Sequence, residues 1–324
     1  MSRRLRTMII GCIAALGCAG AAQAGVIRHD QLDSDYIALG AKSLYDSVGQ
    51  VLFTGTDGRS YAASATMIAP NWALTAAHVV DSTASLDFIL GGQTYSAQSW
   101  LYHSKWDGDL GKGYDIGLIQ FAEGQIANAV TATLYGGNDE YGGLGTFVGY
   151  GTTGTGLTGY DPSLPLVKRA GNNLVDAFLR TPGKRSRVLL SDFDKPGDPS
   201  ESSWGTSAPE DLEYLIAPGD SGGGLFQEID GTNYLTGVHS FGWGRLDGNP
   251  NSDYGDVSGQ TRVSSFYGWI NDIIGGGSGG DSGGGKGGGK PNLVTAAIAI
   301  PEPGTLAIFS LGLLGFGFAR RRLR

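Results

Sequence analysis

Between Val48 and Val263 the chain repeats one pattern: short apolar runs rich in β-branched and aromatic residues, broken by Gly, Asn and Asp. Residues 48–55, 64–70, 72–77, 85–90, 116–121, 145–151, 173–179, 223–229 and 234–244 read as strands or strand ends. Asp57-Gly58 lies where a hairpin turn between two of them belongs. Only 264–274, "SSFYGWINDII", has helical spacing, with Phe266, Trp269, Ile270 and Ile273 on one face. Many short strands and one closing helix predict an all-β barrel or sandwich. No fixed-period repeat is present.

The two ends follow other rules. "MSRRLR", an apolar stretch and Ala22-Gln23-Ala24 form a signal peptide over 1–24. Both cysteines, Cys12 and Cys18, fall inside it, so the mature chain is expected to hold no disulfide and to depend on core burial. At the other end, 275–300 is a Gly-rich flexible linker. Residues 301–324 then carry Pro301-Glu302-Pro303, an uncharged run from Thr305 to Ala319, and Arg320, Arg321, Arg322 and Arg324. This order resembles the PEP-CTERM sorting signal of Gram-negative bacteria. The resemblance implies export across the inner membrane, a short transmembrane helix that tethers the chain, and processing by an exosortase-type enzyme. The final location would be the cell envelope or the exterior.

Charge narrows the choice of partners. The formal net charge is −8, and taking away the seven positive charges of Arg3, Arg4, Arg6 and the four C-terminal arginines leaves −15. Such a body has no electrostatic footprint for nucleic acid.

The stretch with most chemistry is "IAPGDSGGGLF", 216–226, in which Ser221 stands between Asp220 and three glycines. A nucleophilic serine needs a base, a group to orient that base, and oxyanion donors. His78, at the exit of the apolar stretch "NWALTAAHVV", is the candidate base. Asp115, at the mouth of "DIGLIQF", is the candidate orienting acid. Taken singly, His78 is a strand-end histidine and Asp115 a turn residue or cap. In the order His, Asp, Ser, "LTAAHVV", "YDIGLIQF" and "APGDSGGGLF" resemble the three signature segments of the trypsin-like (chymotrypsin-fold) serine proteases. "FVGYGTTGTG", "LTGVHSFGWG" and "TRVSSFYGWI" add matches across residues 37–274.

That resemblance implies two six-stranded antiparallel β-barrels with a C-terminal helix, the site lying in the cleft between them. It implies a serine endopeptidase with His78, Asp115 and Ser221 as triad, Gly219 and Ser221 as oxyanion donors, and protein or peptide substrates. No cofactor or metal is expected, the acidic stretch 191–204 reading as a solvated loop. The other reading is a non-catalytic, protease-like surface binding or matrix protein. Such proteins usually lose a triad member, and none is lost here.

By the same resemblance Leu215 takes the base of the specificity pocket, which disfavours Arg and Lys, and Ser240 and Gly242 form its wall. His239 either helps bind a substrate glutamate or is a satisfied strand histidine. For activation, Ile37-Ala38-Leu39-Gly40 echoes the start of mature trypsin-like enzymes. A propeptide over 25–36 would be removed so that the Ile37 amino group meets Asp220. Alternatively residues 25–47 wrap the barrel and the enzyme is active once exported.

Overall fold

The computed structural model describes residues 25–179, 186–275 and, as backbone, 292–295. The signal peptide, most of the glycine-rich linker and the sorting tail lie outside the described residues, and so does the transmembrane helix expected there. Among the described residues no helix is long and apolar enough to cross a membrane.

The first described elements, ahead of residue 37 or spanning it, are β1 (Gly25–Ile27) and the two-turn helix α1 (Asp33–Gly40). The first large sheet follows: β2 (Val48–Gly55), β3 (Ser60–Ala69), β4 (Trp72–Thr75), the one-turn helix α2 (Ala77–Val80), β5 (Thr83–Leu90), β6 (Gln93–Ser96), β7 (Ser99–Tyr102) and β8 (Gly117–Gln120). The period-two rule is plain in β5, where Leu86, Phe88 and Leu90 are buried and Asp87 and Ile89 are less so. Asp57-Gly58 makes the expected turn: Gly58 has φ +78°, its N–H donates to the Gly55 carbonyl at 2.9 Å, and Asp57 Oδ1 accepts the Arg59 N–H at 3.0 Å. Burying one large apolar side chain contributes about 1.5–3 kcal/mol. Phe88, Trp100 and Phe121 are all fully buried in this half.

The second half contains β9 (Thr133–Leu134), β10 (Leu144–Gly149), β11 (Thr153–Thr155), β12 (Gly159–Asp161), β13 (Arg169–Leu174), β14 (Ala177–Phe178), β15 (Val188–Asp192), β16 (Tyr214–Leu215), β17 (Gly224–Ile229), β18 (Thr232–Trp243) and β19 (Val257–Arg262), then helix α3 (Tyr267–Ile274). The run 173–179, expected as one strand, is divided between β13 and β14. Two large sheets curl as half-barrels, ordered β7-β8-β4-β3-β2-β5-β6 and β13-β10-β17-β18-β19-β15-β14.

The expected six strands per barrel are exceeded. Each large sheet has eight, because β20 (Asn292–Thr295) pairs antiparallel with β7 and β9 pairs parallel with β18. A third sheet, β12-β11-β1-β16, joins the chain's start to the second half. The linker 275–300 is thus not uniformly coil: Asn-Leu-Val-Thr, flanked by weaker strand formers, extends along the open edge of β7.

Without disulfides, buried ion pairs tie distant segments together. Arg262 forms a bidentate pair with the fully buried Glu140 (2.8 and 2.6 Å), and Ser264 Oγ donates to the same carboxylate at 2.8 Å. Arg169, also fully buried, holds Asp33 at the start of α1 at 2.6 and 2.8 Å. The stretch 191–204 is not a solvated loop, since Asp192 and Asp194 are buried. Asp192 Oδ2 accepts N–H groups from Ser203 and Trp204. Glu213 accepts those of Asp194 (2.7 Å) and Glu210 (2.6 Å). The acids end the turns of this segment from inside the fold.

Two outcomes follow from these buried charges. Glu140→Ala leaves the Arg262 guanidinium buried without its partner and should cost about 3–5 kcal/mol of unfolding free energy, read by urea titration. Burial above all, then neighbouring carboxylates, pushes Asp194 up to about 7 and Asp176 up to about 8. Burial pushes Glu213 up to about 9. The folded state therefore holds protons that the unfolded chain has already released. This stability is complete below the ordinary carboxylate range and is lost as pH rises through the raised values. His103 and His239, lowered to about 4 and about 3 by burial, finish their opposite contribution below pH 6.5. The melting temperature should fall between pH 6.5 and 8, below the range in which Lys168, lowered to about 8 by burial, adds its opposite contribution, and Glu213→Gln should flatten that slope. A melting temperature that rises over this range contradicts the assignment.

Candidate active site

His78 leaves β4 on α2, where the chain turns after Ala76. Its N–H donates to Asp115 Oδ1 at 2.9 Å and its Nδ1 lies 2.8 Å from Asp115 Oδ2. Both contacts use one carboxylate, so backbone and ring are fixed together. Asp115, just before β8, is fully buried, whereas the His78 side chain is 32% exposed. The second half-barrel completes the arrangement: Ser240 Oγ donates to Asp115 Oδ2 at 2.5 Å, and Thr261 Oγ1 to the Asp115 carbonyl at 2.7 Å. Burial lowers the His78 pKa, but the hydrogen bond and charge of Asp115 outweigh it, leaving a net rise above the ordinary value.

Ser221 sits on a tight turn across the cleft. Asp220 N–H donates to the Ala217 carbonyl, Gly222 N–H to His239 and Gly223 N–H to Asp220. The N–H groups of Gly219 and Ser221 donate to no described residue, which leaves two adjacent donors free. Gly219 has φ +101° and Gly222 +83°. A Cβ on Gly222 would stand 2.1 Å from Thr75 Oγ1, so only glycine lets the chain pass here. His78 and Ser221 line one cavity of about 550 Å³, and no hydrogen bond joins their side chains.

Ser64 is a supporting residue that the apolar pattern of β3 conceals. Its N–H donates to the Ser221 carbonyl at 2.8 Å, its Oγ donates to the Gly219 carbonyl at 3.0 Å, and that Oγ accepts the Tyr150 N–H at 2.9 Å. The missed Ser240–Asp115 contact is equally tertiary. Neither has a signal in one sequence beyond a serine on a buried strand.

A second cavity of about 310 Å³ adjoins Ser221 and is lined by Ile216, Ala217, Pro218, Ser240, Phe241, Gly242, Pro250 and Ser252. Gly242 and Ser240 stand in its wall, and the Ser240 hydroxyl is committed to Asp115. Leu215 does not form its base. It is fully buried on β16, paired with Val26 and packed among Val26, Phe193 and Tyr254. Strand alternation turns it away while Ile216 faces the cavity. His239 does not line the cavity either. Its ring is fully buried, stacked on Phe147 at 5.3 Å, with both nitrogens unpaired among the described residues, and burial lowers its pKa to about 3. A neutral ring in that position offers no charge to a glutamate.

Ile37 is also displaced from its expected partner. It lies within α1, which packs on β13 and is held by the Asp33–Arg169 pair. Asp220 is fully buried and accepts Gly151 N–H (2.8 Å), Ala217 N–H (2.9 Å) and the Tyr214 hydroxyl (3.0 Å). Burial pushes its pKa up to about 6. The segment beside its partner Tyr214 is β1. A Cβ built on Gly25 would fall 2.0 Å from the Tyr214 hydroxyl oxygen, and β1 runs between β11 and β16.

The remaining histidines are structural. His29 Nδ1 meets the Tyr254 hydroxyl at 2.8 Å, and His103 is buried against Tyr114, Phe266 and Trp269.

Residues 42–173 match the family model described as Trypsin, and residues 299–322 match the PEP-CTERM protein-sorting motif. Chymotrypsin-like elastase family member 1 of Canis lupus familiaris is 28% identical over 241 residues, covering 64% of this chain and 80% of that protein. The protein of the same name from Bos taurus is 28% identical, covering 64% and 77%. A solved structure of HL collagenase superposes with a TM-score of 0.52 at 21% identity, covering 73% of this chain and 95% of that one, which bears on the fold alone. The chain therefore carries a trypsin-type protease domain, followed by a PEP-CTERM protein-sorting motif at its C-terminus.

Proposed function

We propose that this chain is an exported serine endopeptidase that cleaves peptide bonds through an acyl-enzyme. The observation that carries the reading is the pairing of His78 with buried Asp115, in one cleft with Ser221 and two free N–H groups. Asp115 holds the proton on Nδ1, so Nε2 has the lone pair that takes the Ser221 proton as Oγ attacks the carbonyl carbon. The oxyanion that forms accepts from Gly219 and Ser221 N–H, donors already held without a competing partner. His78 then protonates the leaving amine, and water releases the acyl group by the reverse sequence.

The residue on the acyl side enters the 310 Å³ cavity, whose lining holds no charged side chain. An uncharged P1 residue fits, whereas Arg or Lys would bury an unpaired cation. For activation, signal peptidase cleavage after Ala24 releases Gly25, and its amino group pairs with Asp220, replacing the expected Ile37. The place of β1 beside Tyr214, whose hydroxyl donates to Asp220, supports this. The tail from 301 onward anchors the chain in the membrane until an exosortase-type enzyme removes it, and the protease then resides in the envelope or outside the cell.

Ser221→Ala and His78→Ala should each abolish peptide hydrolysis, with no further loss in the double variant, because triad members act as a unit. The kcat/KM profile should rise with pH on a limb above the free-imidazole range, since His78 is a base only when neutral. Asp115→Asn should move that limb to lower pH as well as slow the reaction. Near-normal turnover by either single variant contradicts the mechanism. Protein isolated in active form should begin at Gly25, and a version keeping Ala24 ahead of it should lose activity at least about tenfold. This follows from the roughly 3–5 kcal/mol at stake in a buried pair. Full activity with Ala24 retained, or a terminus at Ile37, refutes this activation route.

A further inference from the structure

The larger cavity beside Ser221 has a composition that hydrolysis itself does not require. The smaller one is uncharged, but the 550 Å³ cavity is walled by Phe53, Tyr61, Ala63 and Val79, with Asp57 at its outer end. Ser221 and Pro218 line both, so the two cavities adjoin at the reacting atom. Chemistry says which half of the substrate each receives. The oxyanion points at Gly219 and Ser221 N–H, and His78 must reach the leaving nitrogen. The cavity that contains His78 therefore receives the amine half.

The hairpin of β2 and β3 sets the order of groups along this cavity. Its root is fixed at the nucleophile, where Ser64 N–H donates to the Ser221 carbonyl. Moving outward come Ala63, then Phe53 and Tyr61, which are cross-strand partners with rings stacked at 5.2 Å and 21°. The Asp57-Gly58 turn is the tip. The Asp57 carboxylate folds back over the strand end, its Oδ1 being 2.6 Å from where a Cβ on Gly55 would stand, and Oδ2 accepts the Tyr61 hydroxyl at 2.7 Å. It is the only carboxylate in the lining of either cavity. Its cationic neighbour, Arg59, is 3.8 Å away with an 80% exposed side chain, a solvated pair that an incoming cation displaces at little cost.

We infer that the β2–β3 hairpin is a specificity element for the leaving-group side, selecting peptides with large apolar residues just after the scissile bond and a basic residue beyond them. This rests on the peptidase reading above. The apolar side chains lie along Ala63, Val79 and the Phe53–Tyr61 pair, and the basic group meets Asp57. Selection by this cavity is separate from selection by the uncharged one, so substrates are read on both sides of the bond.

Acyl transfer to added amines measures this site without any contribution from the acyl side. Purified protein is acylated with N-acetyl-leucine p-nitrophenyl ester, releasing nitrophenol. An added peptide amine then competes with water. Its nitrogen attacks the acyl carbon and gives its proton to His78, the Ser221 Oγ–acyl bond breaks, and Oγ recovers that proton as the new amide leaves. Three nucleophiles are compared by product ratio: Leu-Phe-Arg-amide, Leu-Phe-Asp-amide and Gly-Gly-Arg-amide. Leu-Phe-Arg-amide should capture the acyl group about fivefold better than the Asp peptide, the scale of a partly exposed charge pair. It should exceed the Gly-Gly peptide about tenfold or more, the scale of filling an apolar subsite.

Asp57→Asn should erase the Arg-over-Asp ratio while keeping the Leu-Phe-over-Gly-Gly ratio. Asn-Gly is as good a hairpin turn as Asp-Gly, so the fold is kept. Phe53→Ala should do the reverse. Equal capture of all three peptides, or an Arg-over-Asp ratio that survives Asp57→Asn, overturns the inference while leaving the peptidase intact. No Ser221-dependent release of nitrophenol takes down the peptidase reading and this inference together.

Discussion

Asp115 is a carboxyl group with no exposure to water, and almost everything about the site is arranged around keeping it there. An isolated carboxylate in an interior costs far more than a domain can spare unless it is hydrogen-bonded. Three donors meet its two oxygens: the His78 N–H, the His78 ring and the Ser240 hydroxyl. Thr261 binds the adjoining carbonyl. Two of the donors come from the segment after β4, while Ser240 and Thr261 come from β18 and β19. The charge is satisfied only when the two half-barrels are docked, so docking the halves and orienting the imidazole are one event.

The turn around Ser221 shows the same economy in backbone. Gly222 passes so near Thr75 and Ser64 that no side chain fits, and Ser64 grips the turn through its N–H and its hydroxyl. Asp220 anchors it from below with three neutral donors. The free N–H groups at Gly219 and Ser221 are what remains when every other donor in the turn is used. In a chain without cysteine beyond its first 24 residues, buried pairs such as Arg262–Glu140 and Arg169–Asp33 do the cross-linking between segments. They are directional, and they make the fold sensitive to protonation in a way a disulfide would not. The buried acids of 176–213 add to that sensitivity.

The β2–β3 hairpin serves two scales at once. Its strands are central to the first sheet, and its turn carries the carboxylate at the outer end of the cleft. A rigid element with a short tip places a charge better than a long loop, because the register from Val48–Thr66 to Thr54–Ser60 leaves it little freedom.

How much of this was legible beforehand depends on range. Strands β2 and β5, the Asp57-Gly58 turn and the closing helix follow from periodicity and turn chemistry, which act over a few residues. His78, Asp115 and Ser221 stood out because each lies in a local setting with its own signature: small residues after a strand, an acid before an apolar run, and glycines around a serine. The expectation that Arg and Lys are disfavoured rested on Leu215 as the pocket base, a residue absent from the cavity lining. Only tertiary structure decided what each neighbour faces. Leu215 and Ile216 are adjacent, yet strand alternation sends one into the core and the other into the cavity. Ile37, which counting back from His78 picks out, lies within α1, and it is β1 that borders Tyr214, the residue whose hydroxyl donates to Asp220. Acids at 192 and 194 read as solvated because charge favours water, but both are buried: Asp192 accepts the Ser203 and Trp204 N–H groups, and the Asp194 N–H donates to Glu213, contacts that only the folded chain brings near. Local steric preferences are written in consecutive residues, whereas burial and pairing are set by segments distant in sequence.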